Sequence, residues 1–204
     1  MIKNIIFDLS EVIISGYHGI EQLIEQKYDI PAEKFKRRKQ EETISTFLEL
    51  MRGNLTEEEY WQEFLEGTNW NIAVEDLKMT IREHLNQPVE GTMEIIKQLE
   101  GKYQLILLSD HVKEWMEYIQ EKNQNIKIFN QVILSYKISS LKCDEQTFKE
   151  VLNQTNIVAD ETLFIDDLDV NIKRAEEVGI HGILFKNANQ LKEELQQKYQ
   201  IQIN

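Results

Sequence analysis

Five short, almost continuously apolar runs most restrict how this chain can fold. Apolar residues follow one another within these runs instead of alternating with polar ones, which is typical of strands buried on both faces of a parallel sheet. From residue 88 onward, amphipathic segments separate successive runs. This alternation predicts an α/β fold with right-handed crossovers. The runs lie at residues 4–7, 104–108, 131–134, 162–165 and 182–185.

A second group of helices is predicted between the first run and residue 88, where no strand-like segment occurs. Helical spacing there predicts helices at 20–27, 31–38, 42–51, 56–65 and 74–85. Later helices are predicted at 90–100, 112–122, 145–152, 171–178 and 189–199. Thr56, with Glu59 three residues on, is a capping-box signature. We therefore predict a Rossmann-like core of residues 1–15 and 88–204, with a small all-helical cap domain, residues 16–87, inserted after the first strand.

Charge and cysteine content exclude several classes of protein. A net charge of −13 argues against a nucleic-acid partner, which needs a basic surface. The short basic cluster at residues 36–39 is interpreted as a solvated helix face, and a rim that attracts an anionic substrate is the alternative. A single cysteine, Cys143, excludes an intramolecular disulfide. No run approaches the ~20 apolar residues of a membrane span, so we expect a cytoplasmic protein with no membrane partner.

Polar residues follow the predicted strands at their carboxyl ends. The first strand is followed by Asp8, the second by Ser109 and Asp110, and the fourth by Asp166 and Asp167. Ligands of open parallel sheets bind at this edge, so the carboxylates should meet in one crevice. Any one of them alone is more often a helix cap. Together they repel one another unless a cation is present, and an all-oxygen ligand set suits Mg²⁺.

The same residues carry a family resemblance. The ordered set of residues 7–10, 108–110, Lys142 and 164–167, with Asn171 following, resembles the four motifs of the haloacid dehalogenase-like hydrolase superfamily. The helical insertion resembles its cap, and residues 7–12 (FDLSEV) resemble the sugar-phosphate phosphatase branch, whose first motif often reads FDLGNV or FDLGGV. The resemblance implies a Mg²⁺-dependent phosphohydrolase acting on a small phosphorylated metabolite, with a sugar phosphate as one candidate.

The resemblance also implies roles for individual residues. Asp8 would attack phosphorus, and Asp8, the backbone carbonyl of Ser10 and Asp167 would bind Mg²⁺. Ser109, Asp110 and Lys142 would bind the phosphate, helped by backbone N–H groups at helix starts. Lys142 and Asp166 would orient the nucleophile, and Asn171 would support the metal shell.

Two positions depart from the pattern. Ser10 stands where phosphatases of the superfamily usually carry a second Asp, the general acid and base. One possibility is that the leaving group departs unaided, as an anomeric oxygen could. The other is that Glu11 or His18 supplies the proton. Glu11 is one position away from the usual one, and the simpler interpretation of His18 is an exposed loop histidine. Cys143 stands where relatives commonly have Pro, so the loop that carries Lys142 should be less rigid.

These departures keep two alternatives open. A 2-haloacid dehalogenase also lacks the second Asp, but it does not use Mg²⁺ and would leave the Asp166–Asp167 pair unexplained. A non-catalytic or regulatory protein could retain the fold and the metal. Substrate-contacting cap residues are sought among Tyr17, His18, Arg37, Phe47, Met51 and Trp61, and the oligomeric state is left open.

Overall fold

The computed structural model of the protein describes residues 1–41 and 44–203, apart from the side chains of residues 38–41, 44 and 45. The first two residues of the helix predicted at 42–51 therefore lie outside the described residues. So do the side chains of two members of the basic cluster at residues 36–39.

Five parallel strands form one sheet in the order β3-β2-β1-β4-β5. The strands are β1 (Asn4–Phe7), β2 (Gln104–Ser109), β3 (Gln131–Leu134), β4 (Thr162–Asp166) and β5 (His181–Leu184). β1, the central strand, is buried throughout and pairs with β2 and β4. All five predicted strands and the Rossmann-like α/β fold are confirmed.

Two strands run one residue further than predicted, into polar residues. Ser109 pairs with Leu134, and Asp166 pairs with Leu184. The ladder uses backbone groups only, so a polar side chain does not end it. This extension holds Ser109 and Asp166 in regular strand geometry at the carboxyl edge.

Six helices accompany the sheet after residue 91. They are α6 (Thr92–Leu99), α7 (Lys113–Lys122), α8 (Ser135–Ile138), α9 (Thr147–Thr155), α10 (Asp169–Glu176) and α11 (Ala188–Tyr199). Short 3₁₀ helices span Gln124–Ile128 and Ala159–Glu161. The sequence predicted neither these nor α8, because segments of three to five residues show no helical period. No helix of the described residues has the length and apolarity needed to cross a membrane.

The segment between β1 and α6 is helical, as predicted. It contains α1 (Ile20–Tyr28), α2 (Ala32–Glu41), α3 (Ile44–Met51), α4 (Glu57–Leu65) and α5 (Val74–His84). Its apolar side chains form a hydrophobic cluster that Val112 and Trp115 of the sheet-flanking part join. The division into a core of residues 1–15 and 88–204 and a cap of residues 16–87 stays a prediction, which this separate cluster supports.

Three contacts fasten the helical segment to the rest of the molecule. Ser135 Oγ donates to the carbonyl oxygen of Met51 at 2.6 Å. Arg52 pairs with Asp144 at 2.8 Å. Trp115 Nε1 donates to the buried Glu57 at 2.6 Å, and Arg82 pairs with the same carboxylate. α3 and α4 are therefore held against the loops at the carboxyl edge of the sheet.

The capping box at the start of α4 is confirmed. Thr56 Oγ1 accepts from the Glu59 N–H at 3.2 Å, and Glu59 Oε2 accepts from the Thr56 N–H at 2.8 Å. We expect Thr56→Ala to lower the free energy of unfolding by about 1 kcal/mol, because it leaves helix N–H groups without an acceptor. Urea titration measures this, and Thr56→Ser, which keeps the hydroxyl, should retain most of the stability. Equal losses in both variants would contradict the cap as the cause.

Candidate active site

A buried lysine lies between two buried carboxylates at the carboxyl edge of the sheet. Asp8 directly follows β1, Asp166 ends β4, and Lys142 lies in the loop after α8. Lys142 Nζ is 2.7 Å from Asp8 Oδ1 and 2.7 Å from Asp166 Oδ2. All three side chains are almost completely buried. Three residues far apart in sequence, each predicted for the site, are therefore joined in one charge cluster.

The protonation of these groups follows from burial and from their mutual contacts. Burial raises the pKa of Asp8 well above its usual value, the Lys142 ammonium opposes this, and Asp166 adds to the rise. Burial acts to lower the pKa of Lys142, but Asp8 and Asp166 outweigh it and raise that pKa. Lys142 is therefore a permanent cation whose charge favours the ionised form of Asp8.

Asp166 is held by more contacts than the other acids. Besides Lys142, it accepts from the Leu168 N–H at 2.8 Å and from Asn171 Nδ2 at 3.0 Å. The predicted supporting residue Asn171 thus lies beside Asp166. These donors fix the carboxylate that in turn fixes the lysine.

Asp167 supplies a third carboxylate without a lysine of its own. Ligand oxygens of Asp8, Asp166 and Asp167 lie within 4.8 Å of one another. Burial raises the pKa of Asp167, and the adjacent Asp166 raises it further. Three carboxylates against one ammonium leave an excess of negative charge. The residues therefore fit a divalent cation with oxygen ligands, such as Mg²⁺.

Ser109 and Asp110 differ in what they offer a phosphate. Ser109 Oγ is buried and has no hydrogen-bond partner among the described residues, so its hydroxyl is available to a ligand oxygen. The Asp110 carboxylate instead accepts from the Lys142 N–H at 3.0 and 3.1 Å. An ionised carboxylate has no proton to donate, so the phosphate contact of Asp110, which stays a prediction, would use its backbone N–H. Its side chain holds the Lys142 loop, a positioning that the sequence did not reveal.

Ser10 and its neighbours form the other side of the site. Glu11 Oε1 lies 2.9 Å from His18 Nδ1 and accepts from the backbone N–H groups of Gly16 at 2.9 Å and His18 at 3.3 Å. A Cβ on Gly16 would lie 2.8 Å from Glu11 Oε1, so only glycine leaves room for this carboxylate. The sequence analysis treated Glu11 and His18 as alternative proton donors; in the structure the two side chains are paired.

A cavity of about 340 Å³ joins these groups to the helical segment. Its lining includes Asp8, Ser10, Asp110, Lys142, Asp167 and Asn171, together with Glu11 and His18. Of the six substrate-contacting candidates, Tyr17, His18, Phe47 and Met51 line it. Arg37 and Trp61 do not: Arg37 lies exposed on α2, and Trp61 is fully buried in the hydrophobic cluster of the helical segment. The sequence pattern could not separate Phe47 and Met51 from Arg37 and Trp61, because all four were predicted on amphipathic helices.

His111 and Trp115 also line the cavity, and the sequence did not single them out. Burial lowers the pKa of His111 to about 4, so the imidazole is neutral at physiological pH. The backbone N–H of His111 donates to Ser135 Oγ at 3.0 Å, and the same hydroxyl donates to the carbonyl oxygen of Met51. In the sequence, these two residues could have been assigned to the site only by their positions: His111 directly follows Asp110, and Trp115 lies in the first turn of α7.

A parallel α/β sheet with acids and a lysine gathered at its carboxyl edge places this protein among the α/β proteins that bind a ligand at that edge. The chain belongs to the haloacid dehalogenase-like hydrolase family, whose model matches residues 5–185. The predicted family is thereby confirmed.

Two curated relatives are named as a phosphatase and as a hydrolase. D-ribitol-5-phosphate phosphatase of Bacteroides thetaiotaomicron is 25% identical over 206 residues, which cover 96% of this chain and 97% of that protein. Flavin mononucleotide hydrolase 1 of Arabidopsis thaliana is 25% identical over 150 residues, 73% of this chain and 60% of that relative.

A solved structure shares the fold. It is a HAD family enzyme from Bacteroides thetaiotaomicron in complex with magnesium and inorganic phosphate, with a TM-score of 0.76 at 24% identity, covering 92% of this chain and 96% of that one.

The environment of Asp110 generates a pH prediction. Burial raises its pKa from 3.8 to about 6, against the effects of Lys142, so the folded state binds a proton that the unfolded state releases. Protonated Asp110 therefore stabilises the folded state. This stabilisation is fully present below pH 4 and is lost as the pH rises through 6. We expect this loss to approach about 3 kcal/mol in the wild type and to be absent in Asp110→Asn. The prediction would be wrong if the unfolding free energies of the wild type and of Asp110→Asn changed with pH in the same way.

Proposed function

We propose that this protein is a Mg²⁺-dependent phosphohydrolase that cleaves a small phosphomonoester through an aspartyl-phosphate on Asp8. The observation that carries the proposal is the buried Lys142 bridging Asp8 and Asp166, with Asp167 beside them. The similarity to D-ribitol-5-phosphate phosphatase, to flavin mononucleotide hydrolase 1 and to the magnesium- and phosphate-bound neighbour supports it.

Asp8 is the nucleophile. An Asp8 carboxylate oxygen bonds to phosphorus as the bond from phosphorus to the alcohol oxygen breaks, and water then cleaves the acyl phosphate to regenerate Asp8 and release phosphate. The Leu9 N–H donates to Asp8 Oδ1 at 2.6 Å, and Lys142 contacts the same oxygen at 2.7 Å. These two contacts fix the orientation of the carboxylate and leave Oδ2 for the attack.

The phosphate is held opposite this nucleophile. Ser109 Oγ, the buried hydroxyl without a partner among the described residues, donates to a phosphoryl oxygen. The Lys142 ammonium balances the transferring charge. Backbone N–H groups after β1 and β2 complete the cradle, and the Asp110 carboxylate keeps the Lys142 loop in place.

Asp8, Asp167 and the backbone carbonyl of Ser10 would hold Mg²⁺, and Asn171 would support the metal shell through its hydrogen bond to Asp166. When bound, the ion neutralises the charge that otherwise separates an anionic nucleophile from an anionic phosphate. The excess of carboxylates over lysine supports this assignment. A dehalogenase would leave that excess unexplained, and no feature of the site favours a purely regulatory protein.

The proton for the leaving oxygen comes from the Glu11–His18 pair. Ser10 is far too weak an acid at neutral pH for this role. Glu11 accepts a hydrogen bond from His18 Nδ1. His18 Nε2 is then left to donate a proton to the leaving oxygen, and it afterwards takes a proton from the attacking water. Both residues line the cavity that contains Asp8 and Ser10.

The backbone of Glu11 supports this role. Its φ is 59°, in the left-handed region that favours glycine or asparagine and costs other residues about 1–2 kcal/mol. Three contacts to residues 16–18 hold the side chain in this strained position. Strain of this kind persists where surrounding contacts impose it, and it clusters at active sites. Unlike Asp29 and Gln200, whose similar φ values end helices, Glu11 is at the cavity.

The metal-dependent chemistry is tested by phosphate release from a panel of small phosphomonoesters. We expect turnover that EDTA abolishes, that Asp8→Asn abolishes, and that the exposed control Asp76→Asn leaves unchanged. Calorimetry should show weaker Mg²⁺ binding in Asp167→Ala. Turnover that survives Asp8→Asn would exclude the aspartyl-phosphate, and unchanged Mg²⁺ affinity would exclude Asp167 as a ligand.

His18 is tested by the dependence of rate on the leaving group. We expect His18→Asn to lower kcat for alkyl phosphates by about 10²-fold and for 4-nitrophenyl phosphate by much less, because nitrophenolate leaves without a proton. His181→Asn, on β5 outside the cavity lining, is the matched control. Ser10→Asp should restore activity on alkyl phosphates in the His18 variant. Equal losses on both substrates would contradict acid catalysis by His18.

A further inference from the structure

The part of the cavity away from the acids is mostly apolar. Of its ten lining residues outside the catalytic end, seven are apolar or aromatic. They come from four different parts of the chain: the segment after β1, the cap helices, the start of α7 and the loop after β4. These residues are Tyr17, Phe47, Met51, Leu85, Val112, Trp115 and Leu168.

Three rings form one continuous wall of this space. Tyr17 stacks on Trp115, with ring centroids 5.6 Å apart and an interplanar angle of 26°. Phe47 lies 5.3 Å from Tyr17 and 6.1 Å from Trp115. Such a wall offers ring faces and edges to another flat or apolar group.

The polar atom of Trp115 is already used. Its Nε1–H donates to the buried Glu57 at 2.6 Å, and Arg82 pairs with that carboxylate from the other side. This contact fixes the indole and turns its N–H away from the cavity. Trp115 therefore contributes apolar surface and no donor.

The charged groups of the cavity limit the number of anionic groups that a bound ligand can have. Among the described residues that line it, Lys142 is the single lysine or arginine, and its ammonium contacts Asp8 and Asp166 at the phosphate end. Outside the acid–lysine cluster, the charged side chain of the lining is Glu11, paired with His18. A second anionic group on the substrate would meet a carboxylate and no lysine or arginine.

We propose that the cap-side half of this cavity binds an uncharged, apolar and preferably aromatic leaving group, so that the substrates are monophosphates of hydrophobic alcohols. This inference rests on the proposed phosphohydrolase function and adds the class of alcohol. A polyol in the same place would bring hydroxyls against ring faces, and hydroxyls buried without partners are costly. An aromatic alcohol gains the burial of its ring instead.

Benzyl phosphate and glycerol 3-phosphate test this preference, because both leave as primary alkoxides of similar chemistry. We expect kcat/KM for benzyl phosphate to exceed that for glycerol 3-phosphate by about tenfold or more. 4-Carboxybenzyl phosphate, which adds one negative charge to the same ring, should be used at least tenfold less well than benzyl phosphate. Equal or inverted rates in either comparison would overturn the inference.

Met51→Gln locates the preference in the cavity. Met51 lines the cavity from α3, whereas Met79 on α5 is exposed to solvent and absent from the lining, so Met79→Gln is the matched control. We expect Met51→Gln to reduce the benzyl-to-glycerol ratio several-fold and Met79→Gln to leave it unchanged. An unchanged ratio in a folded Met51→Gln protein would overturn the assignment.

Binding to Asp8→Asn separates this inference from the proposed reaction. Calorimetry with benzyl phosphate and glycerol 3-phosphate, in the presence of Mg²⁺, needs no turnover. Tighter binding of benzyl phosphate, combined with no hydrolysis by the wild type, would support the apolar subsite and refute the phosphohydrolase. Hydrolysis with equal affinities for the two ligands would refute the subsite and support the phosphohydrolase.

Discussion

The contact between Lys142 and the two carboxylates of Asp8 and Asp166 is the interaction on which the site depends. All three groups are buried, and a buried charge is tolerated only when it is paired and hydrogen-bonded. Each surrounding contact secures one member: Asn171 and the Leu168 N–H hold Asp166, Asp110 holds the backbone of Lys142, and the Leu9 N–H holds Asp8. Loss of any one contact would loosen a group that the other two need.

The helical segment is tied to this same region. Asp144, two residues after Lys142, pairs with Arg52, and Ser135 joins the backbone of Met51 to that of His111. The loop that carries the lysine is therefore also a contact surface for α3. The exposed Cys143 lies between Lys142 and Asp144, which both make these contacts. That the loop is less rigid than one with proline at this position stays a prediction.

Ser10, the residue that departs most from the family pattern, is followed by an unusual local structure. Glu11 occupies a left-handed backbone conformation, Gly16 leaves space for its carboxylate, and His18 meets that carboxylate at 2.9 Å. These features occur together within ten residues of the nucleophile. They supply an ionisable pair next to a position from which a carboxylate is missing.

The sequence by itself determined the sheet and the acids at its edge. Continuous apolar runs can only be buried between two layers, and polar residues that end such runs must emerge at the carboxyl edge; Asp8, Ser109, Asp166 and Asp167 could be placed on that basis. The predicted helices, the capping box and the family followed from periodicity and motif order. Each of these signals is local in the chain.

Tertiary structure alone decided which distant side chains meet. The pairing of Glu11 with His18, the use of the Asp110 carboxylate to hold Lys142, and the selection of Tyr17, Phe47 and Met51 over Arg37 and Trp61 depend on how the chain folds back on itself. Amphipathic spacing shows that a helix has a buried face, but it does not show whether that face borders a cavity or a packed core. The missing information is the relative position of cap helices and sheet, which many weak contacts fix together and no single segment encodes.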